Sequence, residues 1–209
     1  MSTLVLIPSM DTVPIQFAQS LAMLNKTDDC AVAIKTGSLV YIARNELAKL
    51  AIKMGADYVL WLDSDMTFEP DTLTRLIQTM EEEQAPIVSG IYYRRVPPYR
   101  PVAFLKLDLS GDRAITEELT DIPDKPFKVD GVGFGCVLMR TDVLVSVMAK
   151  FGDPFFPLPN AGEDIAFCWR AKQCGYDVMI DPRIECGHVG HYVVTRDLYE
   201  ACNGQGGRK

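Results

Sequence analysis

The sequence predicts an α/β fold: a mostly parallel central sheet flanked by helices, in one domain, with a smaller irregular β segment. Three observations carry this expectation. Short apolar runs rich in β-formers alternate with amphipathic stretches through the first half of the chain, the order of a doubly wound sheet. One run, Tyr58-Val59-Leu60-Trp61-Leu62, holds β-formers throughout, as a strand buried on both faces requires. The 209 residues, 48% of them hydrophobic, suffice for a sizeable core.

Leu4-Val5-Leu6-Ile7, within Thr3 to Pro8, is the first strand. Pro14 opens a helix to about Leu24, with Phe17, Leu21 and Leu24 on one face. Cys30 to Lys35 is the second strand. After the loop Thr36-Gly37-Ser38, a helix from about Ile42 to Met54 is expected to bury Leu47, Leu50, Ala51 and Met54, with Gly55 as its C-cap. The central strand follows. Glu69-Pro70-Asp71 then starts a helix to about Glu82, and Ile87 to Tyr92 is a fourth strand.

The second half is less regular. Residues 102–128 alternate apolar runs with polar turns and read only as an irregular β segment. Gly131-Val132-Gly133-Phe134-Gly135 leads into a strand over Cys136 to Met139, and Thr141 is expected to cap a helix to about Lys150. The alternate glycines, Gly133 central among them, suit close backbone approach to a ligand or partner strand, or a simple bulge. The proline-rich loop Pro154 to Gly162 delivers Glu163-Asp164 to a helix that buries Phe167, Cys168 and Ala171 and ends at Gly175. Val178 to Ile180 is a last short strand. The domain is expected to span 1–202, with a disordered glycine-rich tail from Asn203 to Lys209.

Composition narrows function. A formal charge of −7 argues against a nucleic-acid partner. No apolar run reaches membrane-spanning length, and the start lacks a signal-peptide pattern, so a soluble, cytoplasmic protein without a membrane span is expected. Six cysteines without a CxxC pair read as reduced packing residues. Cys168, Cys174, Cys186 and His188 match no usual zinc spacing.

The chemistry concentrates where the central strand ends, at Asp63-Ser64-Asp65. Two carboxylates this close repel, and a hard divalent cation relieves them. Ligands of α/β sheets bind outside the carboxyl ends of strands, where this pair falls. A capped turn is the other reading of the same residues. The loop Arg94-Arg95-Val96-Pro97-Pro98-Tyr99-Arg100 carries three arginines that either hold phosphate or sugar or lie in solvent. His188 and His191 are the two histidines of the chain.

Three segments, "ARNELAKLAIKMGADYVLWLDSDMTFEPDTLTRL", "VDGVGFGCVLMRTDVL" and "GEDIAFCWRAKQCGYDVMIDPRIECGHVGH", cover about half the chain in one order. In that order they resemble the GT-A type nucleotide-sugar glycosyltransferases, and most of all the family 2-like enzymes of bacteria and their phages. The resemblance implies a single GT-A domain. It also implies inverting, metal-dependent transfer from a UDP- or GDP-linked sugar to an acceptor hydroxyl, with Mn²⁺ or Mg²⁺ as cofactor. Carried over residue by residue, it puts the metal on Asp65, with His188 completing the site in preference to His191. Asp63 would face the ribose or a metal-bound water, beside Ser64. Asp164 would be the catalytic base of the Glu163-Asp164 pair. Pro8 and Ser9 look like the nucleotide-binding end of the first strand, Arg44 like a donor-site arginine, and Gly133 and Arg94 fall among the substrate contacts. The Gln-x-x-Arg-Trp pattern of processive synthases is absent. Two rivals fit the same residues. One is a haloacid-dehalogenase-like phosphatase with Asp63 as nucleophile, and the other a non-catalytic module binding sugar or nucleotide. The glycine-rich signature of a nucleotidyltransferase is absent after the first strand.

Overall fold

The structure, a computed structural model, describes residues 1–203. The first half contains β1 (Thr3–Pro8), α1 (Ile15–Met23), β2 (Cys30–Lys35), α2 (Val40–Met54), β3 (Tyr58–Leu62), β4 (Met66–Thr67), α3 (Thr72–Glu82) and β5 (Ile87–Ile91). There follow β6 (Ala103–Asp108), β7 (Ile115–Glu118), β8 (Phe127–Val129), β9 (Gly131–Val132), β10 (Cys136–Arg140), α4 (Thr141–Phe151) and α5 (Glu163–Gln173). The chain closes with β11 (Val178–Glu185), β12 (Gly187–Val189), β13 (Val193–Val194) and α6 (Arg196–Asn203).

The main sheet has the order β2-β1-β3-β10-β5-β11-β8. Strands β1, β2, β3, β5 and β11 run one way, and β10 and β8 run against them. Side chains of a strand alternate between faces, and here both faces are covered. Leu4, Leu6, Val59 and Trp61 share one apolar cluster with Leu47, Ala48 and Ala51 of α2. Val5, Ile7, Leu60 and Leu62 share the other with Phe17 of α1 and Leu73 and Leu76 of α3. This explains the uninterrupted apolar runs of β1 and β3, all of whose residues from Leu4 to Ile7 and from Val59 to Leu62 are at most 2% exposed.

β10, expected as a strand without a place in the sheet, lies antiparallel between β3 and β5, with Val137 opposite Trp61 and Ser89. Several other expectations are corrected. α2 begins at Val40, and Leu50 and Met54 are exposed while Ala43 and Ala48 fill the buried stripe. Arg140, not Thr141, is the N-cap of α4, and the buried Thr141 hydroxyl has no partner among the described residues. β11 continues past Ile180 to Glu185 through a bulge beside β5.

The irregular segment resolves into a small antiparallel sheet, β7-β6-β9, with β8 joining the main sheet. A third sheet, β13-β12-β4, pairs His188 with Met66 and so ties the histidine strand to the turn after β3. Gly187 permits this approach: a Cβ there would meet the Thr67 hydroxyl and lie 2.5 Å from Val193 Cγ1. Asn203, expected to begin the tail, ends α6, and residues 204–209 lie outside the described residues. No described helix is long and apolar enough to cross a membrane.

Candidate active site

The turn after β3 is pinned from both sides. The Asp63 amide donates to the Gly135 carbonyl at 3.1 Å, the Met66 amide to the Asp63 carbonyl at 3.2 Å, and the Val189 amide to the Asp65 carbonyl at 2.8 Å. The two carboxylates thereby point to different partners.

Asp63 meets Arg44. The Arg44 side chain is 2% exposed, with Nη2 donating to Asp63 Oδ1 at 2.8 Å and Nε to Glu163 Oε1 at 3.4 Å. Its guanidinium carbon stands 5.2–5.9 Å from the ring centroids of Phe134, Trp61 and Phe155. A buried cation is costly unless paired. Burial opposes the charge, but Asp63, Glu163 and Asp164 together hold this guanidinium above its ordinary range, and the ring faces add to its stabilisation. Nη1 has no partner among the described residues. Asp63 itself is pushed up by burial and by Asp65, against the pull of Arg44.

Asp65 meets His188 and Arg95. His188 Nδ1 lies 2.8 Å from the Tyr93 carbonyl, which can only accept, so Nδ1 carries a proton. That leaves Nε2 facing Asp65 Oδ2 at 3.5 Å. An imidazole nitrogen and a carboxylate oxygen so placed want a cation between them, either a proton or a metal. One divalent ion with ligand bonds of about 2.0–2.3 Å can be shared by two atoms at that separation. The Tyr93 carbonyl gives the ring the kind of outer hydrogen bond that orients histidine ligands in metal sites. Arg95 Nη1 stands 2.9 Å from the same Oδ2. Burial works against the Asp65 charge, yet His188 and Arg95 hold its carboxyl below the ordinary range.

Across the cavity, Gly162 is the N-cap of α5 and places Glu163 and Asp164 in its first turn. Glu163 is engaged by Arg44, while Asp164 Oδ1 accepts from the Ile165 amide at 2.7 Å. Burial, and then repulsion from Glu163, push the Asp164 carboxyl up to about 6 despite Arg44. A helix N-terminus by itself favours the opposite shift. Burial wins.

Pro8, Ser9, Arg44, Asp63, Ser64, Asp65, Arg94, Glu163, Asp164 and His188 all line one cavity of about 530 Å³ at the carboxyl ends of β1, β3 and β5. Gly133 and His191 do not line it. Gly133 instead makes room for Tyr92: a Cβ there would run into the Tyr92 hydroxyl and lie 2.8 Å from Val102 Cγ1. The glycines thus accommodate a side chain rather than a ligand. The Gly135 amide donates to the Tyr92 hydroxyl at 3.2 Å, and the Tyr92 ring packs edge-on against His188 with centroids 5.5 Å apart. Tyr92 carried no functional reading in the sequence, and Arg95 stood there only as one of three loop arginines. The rule that located Asp63, that ligands sit beyond strand ends, applies equally to both, since they follow β5. Ser38 and Val40, also in the lining, carried no sequence signal. Arg94 and Arg100 are held by Glu118 at 2.7 and 2.6 Å.

Among the described residues no group of three or more His, Cys, Asp or Glu side chains is gathered around one point. Asp65 and His188 stand as a pair, with Asp63 Oδ1 turned to Arg44. Cys168 and Cys174 face separate carbonyls, those of Val132 and Ser146.

A Rossmann-like sheet with an acidic pair at the end of a central strand and a second acidic pair across the cavity is the arrangement expected of the GT-A type glycosyltransferases that the sequence resembles. The chain belongs to glycosyl transferase family 2, which its residues 26–146 match. It is similar to the mannan polymerase complex subunit MNN9 of Candida albicans, 30% identical over 175 residues that cover 68% of this chain and 46% of that protein. The chain thus spans about half the length of that relative. Its fold is shared by A197 from STIV, with TM-score 0.70, 20% identity and coverage of 94% of this chain and 91% of the other. It is shared too by GalNAc-T7, solved with UDP, GalNAc and Mn²⁺, with TM-score 0.61, 9% identity and coverage of 90% and 43%.

Proposed function

We propose that this glycosyltransferase moves a sugar from a UDP- or GDP-linked donor to an acceptor hydroxyl with inversion, using Mn²⁺ or Mg²⁺ held by Asp65 and His188. The observation that carries the reading is the facing pair of Asp65 Oδ2 and His188 Nε2 in a cavity that also holds Asp164. The fold shared with GalNAc-T7, solved with UDP and Mn²⁺, supports it.

The ion, when bound, supplies Lewis-acid stabilisation of the departing diphosphate. The protein's own groups do the rest. His188, its Nδ1 proton held by the Tyr93 carbonyl, keeps Nε2 turned to the cavity. Asp63, anchored through Oδ1 by Arg44, keeps its second oxygen for the donor ribose, and Pro8 and Ser9 flank the base. Asp164 takes the proton of the acceptor hydroxyl as that oxygen bonds to the anomeric carbon. The bond from that carbon to the diphosphate oxygen breaks on the opposite face, which inverts the centre. Glu163, engaged by Arg44, positions rather than reacts.

The test is release of nucleoside diphosphate from UDP- and GDP-sugars with simple sugar acceptors, with and without chelator, and NMR of the product anomer. Metal-dependent release with an inverted product is expected. A retained product, or release unchanged by chelator, would overturn the reading. The phosphatase reading requires a phosphorylated Asp63, and no fluoroberyllate adduct should be trapped there.

A further inference from the structure

Arg95 pairs with the carboxylate oxygen on which the proposed metal would sit. Its Nη1 lies 2.9 Å from Asp65 Oδ2, the oxygen that faces His188 Nε2 at 3.5 Å. The same nitrogen is 3.5 Å from the Val189 carbonyl, and the Arg95 stem rests on Gly190, where a Cβ would stand 3.4 Å from Arg95 Cδ. The loop beneath it is anchored elsewhere. Arg94 and Arg100 are tied to Glu118, the Tyr99 and Tyr192 hydroxyls meet, and Asn203 Nδ2 donates to the Pro98 carbonyl at 2.8 Å. The Arg95 side chain remains 51% exposed on that fixed base. It can leave Asp65 by side-chain rotation alone.

We infer that Arg95 is a counter-cation on Asp65 which an incoming divalent ion displaces and which then pairs with the donor diphosphate, so that metal and nucleotide bind cooperatively. This rests on the metal reading above. A single carboxylate oxygen cannot serve a guanidinium and a divalent ion at contact without setting like charges side by side. A diphosphate offers more negative charge than Asp65 and suits the guanidinium fork. The displaced arginine therefore has a better partner only when the nucleotide is present. The reciprocity of linkage makes each ligand favour the other.

The test compares wild type, Arg95→Met, Arg95→Lys and Asp65→Asn. Mn²⁺ binding without nucleotide is followed by the electron paramagnetic signal of the free ion, and UDP and GDP binding at saturating Mn²⁺ by calorimetry. Arg95→Met should bind Mn²⁺ alone about twofold to fivefold more tightly, the scale of losing one half-exposed ion pair. It should bind nucleotide about tenfold more weakly. Arg95→Lys should fall between, and the cooperativity should shrink in that order. If Asp65→Asn leaves Mn²⁺ binding intact, the metal reading itself fails. If Asp65→Asn abolishes Mn²⁺ binding while Arg95→Met leaves it unchanged or weakens it, the metal reading stands and the displacement role of Arg95 is overturned.

Discussion

Glu163 and Asp164 are adjacent carboxylates with unequal fates, and Arg44 is the reason. Arg44 forms ion pairs with Glu163 and Asp63 but not with Asp164, whose carboxyl is raised to about 6 by burial and then by Glu163, against the pull of Arg44. A base must be deprotonated to work, so turnover should fall as pH drops through about 6 and level off above it. A pH–rate profile checks this, and a flat profile down to pH ~5 would contradict it. Asp164→Asn should remove that limb and lower turnover by about 10²–10⁴-fold, with donor affinity nearly unchanged. The same shift bears on stability. A carboxyl whose pKa is raised from 3.8 to about 6 on folding favours the folded state below 3.8 and loses that contribution as pH rises through 6. Asp164→Asn should therefore raise the Tm at pH ~7 relative to wild type, and a lower Tm there would contradict the burial argument. Arg44→Met should act oppositely, leaving Asp63 and Glu163 without their cation. A loss of about 3 kcal/mol is expected, the lower end for breaking a buried pair because Asp63 is 30% exposed, and denaturant melts measure it.

At the scale of elements, the first half of the fold was legible because each strand there is followed by its own helix and bounded by turn residues. β1, β2 and β3 carry enough apolar character between turn residues to be read alone, and their helices were legible to within a few residues, α2 starting at Val40 rather than about Ile42. β10 was read as a strand, but its place was not. It sits antiparallel between β3 and β5, and position in a sheet is set by long-range pairing that leaves no local pattern. The glycines before it were legible only as a close approach, with two partners open. The partner is Tyr92. Gly133→Ala should therefore strain the packing by about 1–3 kcal/mol, lowering the Tm by roughly 2–12 °C in a chain this size. Because the nearest atom is the Tyr92 hydroxyl, adding Tyr92→Phe should return part of the loss in a double-mutant cycle. Additive losses would mean that the clash lies elsewhere.

For the whole molecule, the acidic turn, the α5 carboxylates and His188 are far apart in sequence yet line one cavity, because strand carboxyl ends converge on one edge of the sheet. That rule found Asp63 and Asp65 from the sequence. His188 came from family resemblance, since its strand pairs with β4 rather than with the main sheet. Arg95 was only one of three arginines until the loop's anchors were visible. The proposed mechanism depends on a donor nucleotide held through a divalent ion at Asp65 and His188. Calorimetric titration of UDP and GDP with and without Mn²⁺, on wild type and His188→Ala, tests it most directly. Binding of one nucleotide is expected to need Mn²⁺ and to weaken together with Mn²⁺ affinity in His188→Ala. Equal binding in excess chelator, or a His188→Ala protein indistinguishable from wild type, would contradict it.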